Sequence, residues 1–360
     1  MNVGIVSVWF NRGQAVVSRQ VRSILNALGH NTHVLARRTK PSFIKPHFVD
    51  NQDVWKQDNI THGSAFEMSV AEYLDWATKN RLDMVFFDQN LQFEAITTLR
   101  EAGILTVGRF VWESFGPDNV ESALSAFDCI YSLTKCEQER YKQLGIESPY
   151  IQWGCHPELL AHAKTDKDPD TVTFFYPAGY LSKRKPTIEA VEAFCNVDDQ
   201  RARLIIKAQH DIRGKELVEH CKTLDARIQV IVEDSPTEAY LNLFSQSDVS
   251  LAPSRWEGLG LHLYEAVAFG IPTITNNAPP MNEHIVHGEN GLLIESSISG
   301  YRRPGVPVLE PNIDSMTRAM NQMCDDSFRA ELCNGVLRQQ EQMNWSTTIS
   351  GYASVIERLS

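Results

Sequence analysis

With 360 residues, 42% of them apolar and 22% charged, the chain is long enough for two α/β domains, each with its own core. Its formal net charge of −11 argues against general nucleic-acid binding, and no run of about 18 apolar residues offers a membrane-spanning helix. The seven cysteines are scattered without a C-x-x-C pair, which points to reduced thiols in a cytoplasmic protein rather than a disulfide frame or zinc site.

The chain opens MNVGIVSVWFNRG, a strand (Val3 to Val8) and a turn (Asn11 to Gln14) with no basic start before an apolar core, so no signal peptide is expected. Val17, Val21, Ile24, Leu25 and Leu28 then recur at helical spacing until Gly29-His30 stops the helix. His33 to Leu35 is a second strand. The first 50 residues carry Arg12, Arg19, Arg22, Arg37, Arg38, Lys40 and Lys45 against one acid, Asp50. That excess is either a solvated basic face or a patch that meets an anionic membrane or a phosphorylated acceptor.

Met84 to Phe87 and Thr106 to Val111 are continuous apolar strands, as buried parallel sheets require; Cys129 to Ser132 and Tyr150 to Gln152 complete the half. Helices are expected at about 66–80, 92–102 and 135–144. Asp88 and Glu113 fall at strand ends, the edge where open α/β sheets bind ligands. The predicted layout is a first domain over 1–156, a linker over 157–171, a second domain over 172–341 and a last helix over 342–360.

The second half repeats the alternation. Val172 to Tyr176 is a strand, Pro177 to Pro186 is a turn, and a helix follows to about Phe194. Leu204 to Lys207 and Val230 to Val232 are the next strands. Ser235-Pro236-Thr237-Glu238 opens a helix with a capping box and Pro at its first position. Helices at 312–326, 327–341 and 345–359 end the chain.

Ala252 to Leu293 organises the rest. An apolar strand, Val249 to Ala252, runs into a Gly-containing turn, a helix from about Leu261 and a second strand at Pro272 to Thr275. Such a turn presents bare backbone N–H groups and the positive end of a helix dipole, which suits an anion. Gly258 and Gly260 leave the backbone open to close approach. Glu257 and Glu265 bracket the turn. Two carboxylates beside an anion site fit a ligand with both a diphosphate and vicinal hydroxyls, which is a nucleotide sugar.

The run E-G-L-G-L-H-L-Y-E-A-V-A-F-G-I-P-T, with the later N-E-H-I-V-H-G-E-N-G-L-L, resembles the E-x7-E signature of family 4 retaining glycosyltransferases. The resemblance implies the GT-B fold: two Rossmann-like domains facing across a cleft, with the C-terminal helix crossing back to the first. It is strong over 172–295 and loose before that, where the family's acceptor-binding domain varies. Gly154 to Glu158 resembles the family's N-G-V-D-x-x-x-F. Around Gly179, P-A-G-Y-L-S-K-R-K-P resembles G-R-L-x-x-x-K-G, whose Arg and Lys hold the donor diphosphate. Lys185 matches the Lys, Tyr180 stands at the Arg position, and Arg184 is the candidate replacement. By resemblance, Glu257 holds sugar hydroxyls and Glu265 the ribose. Backbone from Gly258 through Leu259 and Gly260 to Leu261 meets the diphosphate, and Gly13 approaches it from the first loop. Where many relatives carry a histidine, this chain has Trp112-Glu113-Ser114-Phe115. Glu113 is then either a capped, solvated acid or an acceptor-side base.

The implied reaction is metal-independent hexosyl transfer from a nucleoside-diphosphate sugar to a hydroxyl of a glycan or lipid-linked saccharide. No cofactor is expected, since no D-x-D-like motif stands at a strand end. A sugar-nucleotide-binding pseudoenzyme, or a GT-B epimerase or phosphorylase, is the alternative. An epimerase would consume donor without acceptor, and a phosphorylase would require phosphate. No G-x-G-x-x-G follows the first strand, which disfavours a dinucleotide oxidoreductase.

Overall fold

The computed structural model describes residues 1–164, 167–211, 220–221, 223–302 and 305–360. The chain divides into two compact units, Met1–Trp153 with Ser346–Ser360, and Gly154–Trp345. Each is built on a six-stranded parallel sheet. In the first, β1 (Asn2–Val8), β2 (Asn31–Arg37), β3 (Ile60–His62), β4 (Met84–Asp88), β5 (Leu105–Arg109) and β6 (Cys129–Ile130) run in the order β3-β2-β1-β4-β5-β6. In the second, β7 (Val172–Leu181), β8 (Ala202–Asp211), β9 (Ile228–Val232), β10 (Val249–Ala252), β11 (Thr273–Asn276) and β12 (Gly291–Ile294) run β12-β11-β10-β7-β8-β9.

Counted from each unit's own first strand, the two orders are the same doubly wound arrangement. Crossovers reverse direction beside that first strand, so the loops diverge at its carboxyl end and leave a crevice. The topology therefore puts ligand-binding crevices at β1/β4 in one unit and β7/β10 in the other. Every residue of β4 (MVFFD) and of β10 (VSLA) is buried, which is why these strands read as mainly apolar runs. In the second unit Phe174, Leu204, Val249 and Ile274 from four strands pack with Val191, Phe194, Met316 and Met320 from the covering helices.

Several expected elements differ in extent. Tyr150 to Gln152 is no full strand: Tyr150 makes a single bridge to Ser132. Pro177 to Leu181 is not yet turn, because β7 continues beside the equally long β8 with register shifts around Gly179. Pro236 rather than Ser235 stands at the N-cap of the helix Thr237–Ser245, and no side chain caps it. Ser235 Oγ donates instead to Glu233 Oε1 at 2.7 Å. The strand β3, the helix Val120–Ala126 and the hairpin of β13 (Ser296–Arg302) with β14 (Val306–Pro311) were not foreseen.

The stretch 157–171, expected as a linker, is counted in the second unit. Pro157–Leu160 form a short helix, and Lys167 Nζ donates to Ser247 O at 2.5 Å. Thr165 and Asp166 lie outside the described residues. Gly154 marks the change of unit: a Cβ there would stand 2.6 Å from Met343 O, where Cys155 N donates to that oxygen at 2.8 Å. The last helix, Trp345–Leu359, packs on the first unit from Ser346 onward. Thr348 Oγ1 donates to Gln152 O at 2.9 Å, and the Tyr352 ring lies 6.1 Å from that of Phe86. Trp345, the first residue of that helix, meets the His156 ring in the second unit at 4.8 Å. Among the described residues no helix is long and apolar enough to cross a membrane.

Candidate active site

The loops that follow β7 and β10 meet at the crevice of the second unit. The two strands are neighbours, with Val249 opposite Phe174, and Arg255 N donates to Arg184 O at 3.0 Å, tying one loop to the other. Arg255 strengthens the tie. Its guanidinium donates to Lys183 O at 3.0 Å and pairs with Glu310 on β14 at 2.8 Å and with Glu189 on the helix Thr187–Cys195.

This frame brings Arg184, Lys185 and Glu257 together. Lys185 Nζ donates to Glu257 Oε1 and to Ser254 Oγ, both at 2.8 Å, while Arg184 Nη2 donates to Glu257 Oε2 and its Nε to Trp256 O at 3.1 Å. Glu257 is 5% exposed and Lys185 8%, so the pairing takes place away from bulk water. Burial opposes the charge on Glu257, but Arg184 and Lys185 outweigh it and hold the carboxyl well below the usual range. The site thus carries two cations and one permanent carboxylate.

Gly260 makes the turn into the helix Leu261–Ala268. It has φ 74° and ψ 53°, the left-handed region open to glycine, and no side chain caps the helix behind it. Leu263 N already donates to Gly260 O at 2.9 Å, which leaves the N–H groups of Leu261 and His262 as the first-turn donors that could meet an anion. Gly258, Leu259 and Gly260 are all buried in this loop. Gly179 is also left-handed, with φ 58°, at the end of β7. Tyr180 has its ring 5.4 Å from that of His210.

Glu265 does not join the cluster around Glu257. One turn further along the helix, it accepts a hydrogen bond from Tyr240 Oη at 2.7 Å. Burial raises its carboxyl up to about 7, against the lowering effects of that hydrogen bond and of Lys185. Sequence reasoning missed Tyr240, Ser254, Arg255 and His262. Their roles depend on which loop faces which, and local spacing carries no such signal.

Gly13 and Glu113 belong to the first unit. Gly13 begins the helix Gly13–Ala27, and its neighbour Gln14 donates to Asp88 O at 2.6 Å. Glu113 sits half-buried on the 3-10 turn Trp112–Ser114, which Gln89 Oε1 anchors by accepting from Val111 N at 2.8 Å. At the ends of β4 and β5 lies a buried network also missed from sequence. Arg109 reaches Asp88 Oδ1 at 3.4 Å and Glu137 Oε1 at 3.2 Å. Of the basic residues near the N-terminus, two are structural. Arg22 is held by Thr32, Gln57 and Asp58, and Arg37 is buried against the Phe66 ring. Among the described residues no group of three or more His, Cys, Asp or Glu is placed to hold a metal ion.

Residues 161–299 match the family model for glycosyl transferases group 1. Sucrose-phosphate synthase from Thermosynechococcus elongatus superposes with a TM-score of 0.77 at 15% identity, over 100% of this chain and 99% of that one. The fold is GT-B. A second GT-B neighbour, Anabaena HepE in complex with UDP and glucose, gives a TM-score of 0.71 at 14% identity, over 99% and 100% of the two chains. An uncharacterized 41.2 kDa protein in the cps region of Klebsiella pneumoniae is 41% identical over 63 residues. That alignment spans 18% of this chain and 17% of the relative. The matched stretch 161–299 contains both loops of the GT-B crevice described above, from Gly179 to Glu265.

Proposed function

We propose that the protein is a retaining glycosyltransferase of the family 4 type. It moves a sugar from a nucleoside-diphosphate sugar to a hydroxyl of a glycan or lipid-linked saccharide. The observation that carries this reading is the pairing of Arg184 and Lys185 with the buried Glu257 at the β7/β10 crevice. Breaking the bond from the anomeric carbon to the diphosphate oxygen builds negative charge on the leaving group. Fixed cations and helix N–H groups at that point stabilise it without reorganisation. In this reading the diphosphate takes over Arg184 and Lys185, and Glu257 accepts from hydroxyls of the sugar. Glu265 meets the ribose. Glu113, in the first unit, is the acceptor-side base.

Metal independence belongs to the same proposal, since the two cations do the work a divalent ion would do. Full turnover in excess chelator is expected, and activity that chelator removes and Mg or Mn restores refutes that part. Contact of the basic N-terminal surface with an anionic membrane face is a further part, resting on Arg12, Arg19, Arg38, Lys40 and Lys45 once Arg22 and Arg37 are set aside. Co-sedimentation with phosphatidylglycerol vesicles, but not with phosphatidylcholine vesicles, tests it.

The central test is thermal melting against UDP-, GDP-, ADP- and TDP-glucose, repeated with Lys185→Ala. A rise in Tm for one of them, lost in the variant, supports the donor site. No rise for any, with the protein folded, refutes it.

A further inference from the structure

His262 is buried to 8% exposure in the first turn of the helix Leu261–Ala268, and its Nε2 has no hydrogen-bond partner among the described residues. A buried ring nitrogen without a partner is costly, and such groups mark places where something else is meant to bind. The atom faces Glu257 Oε1 across 3.9 Å, too far for a hydrogen bond. An oxygen that bridged the two atoms at about 2.8 Å from each would do so at an angle of roughly 90°. Glu257 has acceptor capacity left, because Lys185 and Arg184 each use one side of one oxygen.

We infer that His262 is a further donor-sugar residue, which with Glu257 grips a single hydroxyl of the transferred sugar. The hydroxyl donates its proton to Glu257 Oε1 and accepts one from His262 Nε2–H. This assignment rests on the donor reading of the site given above. It fits a neutral ring with its proton on Nε2. An unprotonated Nε2 would set its lone pair against the carboxylate, whereas Nε2–H is attracted to it. A positive charge on the ring is opposed by burial and by Lys185, which hold its pKa down at about 3. A neutral imidazole beside a carboxylate distinguishes a hydroxyl, which can donate and accept at once, from a phosphate oxygen, which can only accept. The pair thus reads the sugar while Arg184 and Lys185 read the diphosphate.

The test compares a nucleotide sugar with the same nucleotide lacking its sugar. The probes are whichever of UDP-, ADP-, GDP- or TDP-glucose binds the wild-type protein, the corresponding nucleoside diphosphate, and the monodeoxy analogues of that glucose donor. His262→Leu removes the donor group at similar volume, and His262→Gln restores an N–H close to the position of Nε2. His262→Leu is expected to weaken the nucleotide sugar about three- to tenfold and to leave the nucleoside diphosphate within twofold. His262→Gln should recover most of the loss. One monodeoxy donor should bind the wild type more weakly by a similar factor and show no further loss with His262→Leu. Equal weakening of nucleotide sugar and nucleoside diphosphate overturns the inference, because the ring then serves the phosphate or the fold. So does an unchanged affinity for both. If the wild type binds none of the four nucleotide sugars, the donor reading itself fails and this inference with it. If it binds them but the variants do not discriminate, only the role of His262 fails.

Discussion

Lys185 Nζ and Glu257 Oε1 stand 2.8 Å apart across two loops separated by about seventy residues of chain, and both residues are buried. The carboxylate thus holds the cation that we assign to the diphosphate, and in that proposal a bound diphosphate would exchange one partner of Lys185 for another rather than order a loose side chain. Removing Lys185 takes away one charge that stabilises the leaving group, worth roughly 3 kcal/mol or about a hundredfold in rate. Lys185→Ala is expected to lower kcat by about that factor. The Tm also falls, because Glu257 is left with Arg184 alone. Near-wild-type turnover of a folded Lys185→Ala protein would remove the lysine from the mechanism.

Glu265 and Tyr240 give a pH-dependent expectation with a definite sign. The folded-state pKa of Glu265 is raised from 4.5 to about 7, chiefly by burial. A carboxyl raised in this way contributes stability that is fully present below its unfolded value and is lost as pH rises through the folded value. Between pH 5 and pH 8 the ionised carboxylate becomes a cost. Glu265→Gln is accordingly expected to raise Tm at pH 8 and to change it little at pH 5. The same variant should bind the nucleotide more weakly at pH 8, since a carboxylate accepts ribose hydroxyls better than an amide does. An equal Tm difference at both pH values would contradict the assignment.

How far the sequence reached depends on which forces left a local trace. The strands β4 and β10 are buried on both faces, so they stand out as apolar runs, and Gly29 and the left-handed Gly260 punctuate helices where glycine is expected. The hairpin of β13 and β14 left no such trace, because β13 is largely exposed and carries no apolar alternation. Motif spacing made Lys185 and Glu257 candidates for the site, and the structure brings the two side chains together. Tyr240, His262 and Arg255 were not candidates, since their partners are chosen by the β7/β10 neighbourhood rather than by nearby sequence. Trp345 shows a related limit: it opens the helix that packs on the first unit, yet its ring meets His156 in the second. A large apolar residue at the start of a helix shows that it will be buried and gives no sign of which surface will bury it.

The network of Arg109, Asp88 and Glu137 should respond unequally to removal of its members. Arg109 is 2% exposed and neutralises two buried carboxylates, Glu137 by a two-pronged contact at 3.3 and 3.2 Å and Asp88 at 3.4 Å. Arg109→Met leaves both uncompensated and is expected to cost about 3–5 kcal/mol in urea unfolding. Asp88 behaves differently. Burial raises its carboxyl to about 6 despite Arg109, and its Oδ2 has no partner among the described residues. Its contribution to stability is thus present in acid and lost as pH rises through 6. Asp88→Asn is expected to gain stability relative to wild type as pH rises from 5 to 8. A uniform loss across that range would show that the charge, rather than the shape, of Asp88 is needed.

Gly260 and Gly179 allow backbone strain to be separated from contact with the donor. Both have positive φ, 74° and 58°, so alanine at either costs roughly 1–2 kcal/mol through conformation alone. They differ in surroundings. A Cβ on Gly260 would stand 3.1 Å from Leu263 Cδ1 and in the mouth of the helix, whereas a Cβ on Gly179 meets no atom within 4 Å. Gly260→Ala is therefore expected to lower Tm somewhat more than Gly179→Ala does. Its effect on kcat/KM should be larger still, because the added methyl keeps the diphosphate from the first-turn N–H groups. If Gly179→Ala leaves kcat/KM near wild type while Gly260→Ala lowers it tenfold or more, donor approach is through the turn after β10. Equal losses in kcat/KM would mean that the ligand also lies against the end of β7, and that the open space beside Gly179 is part of the donor site.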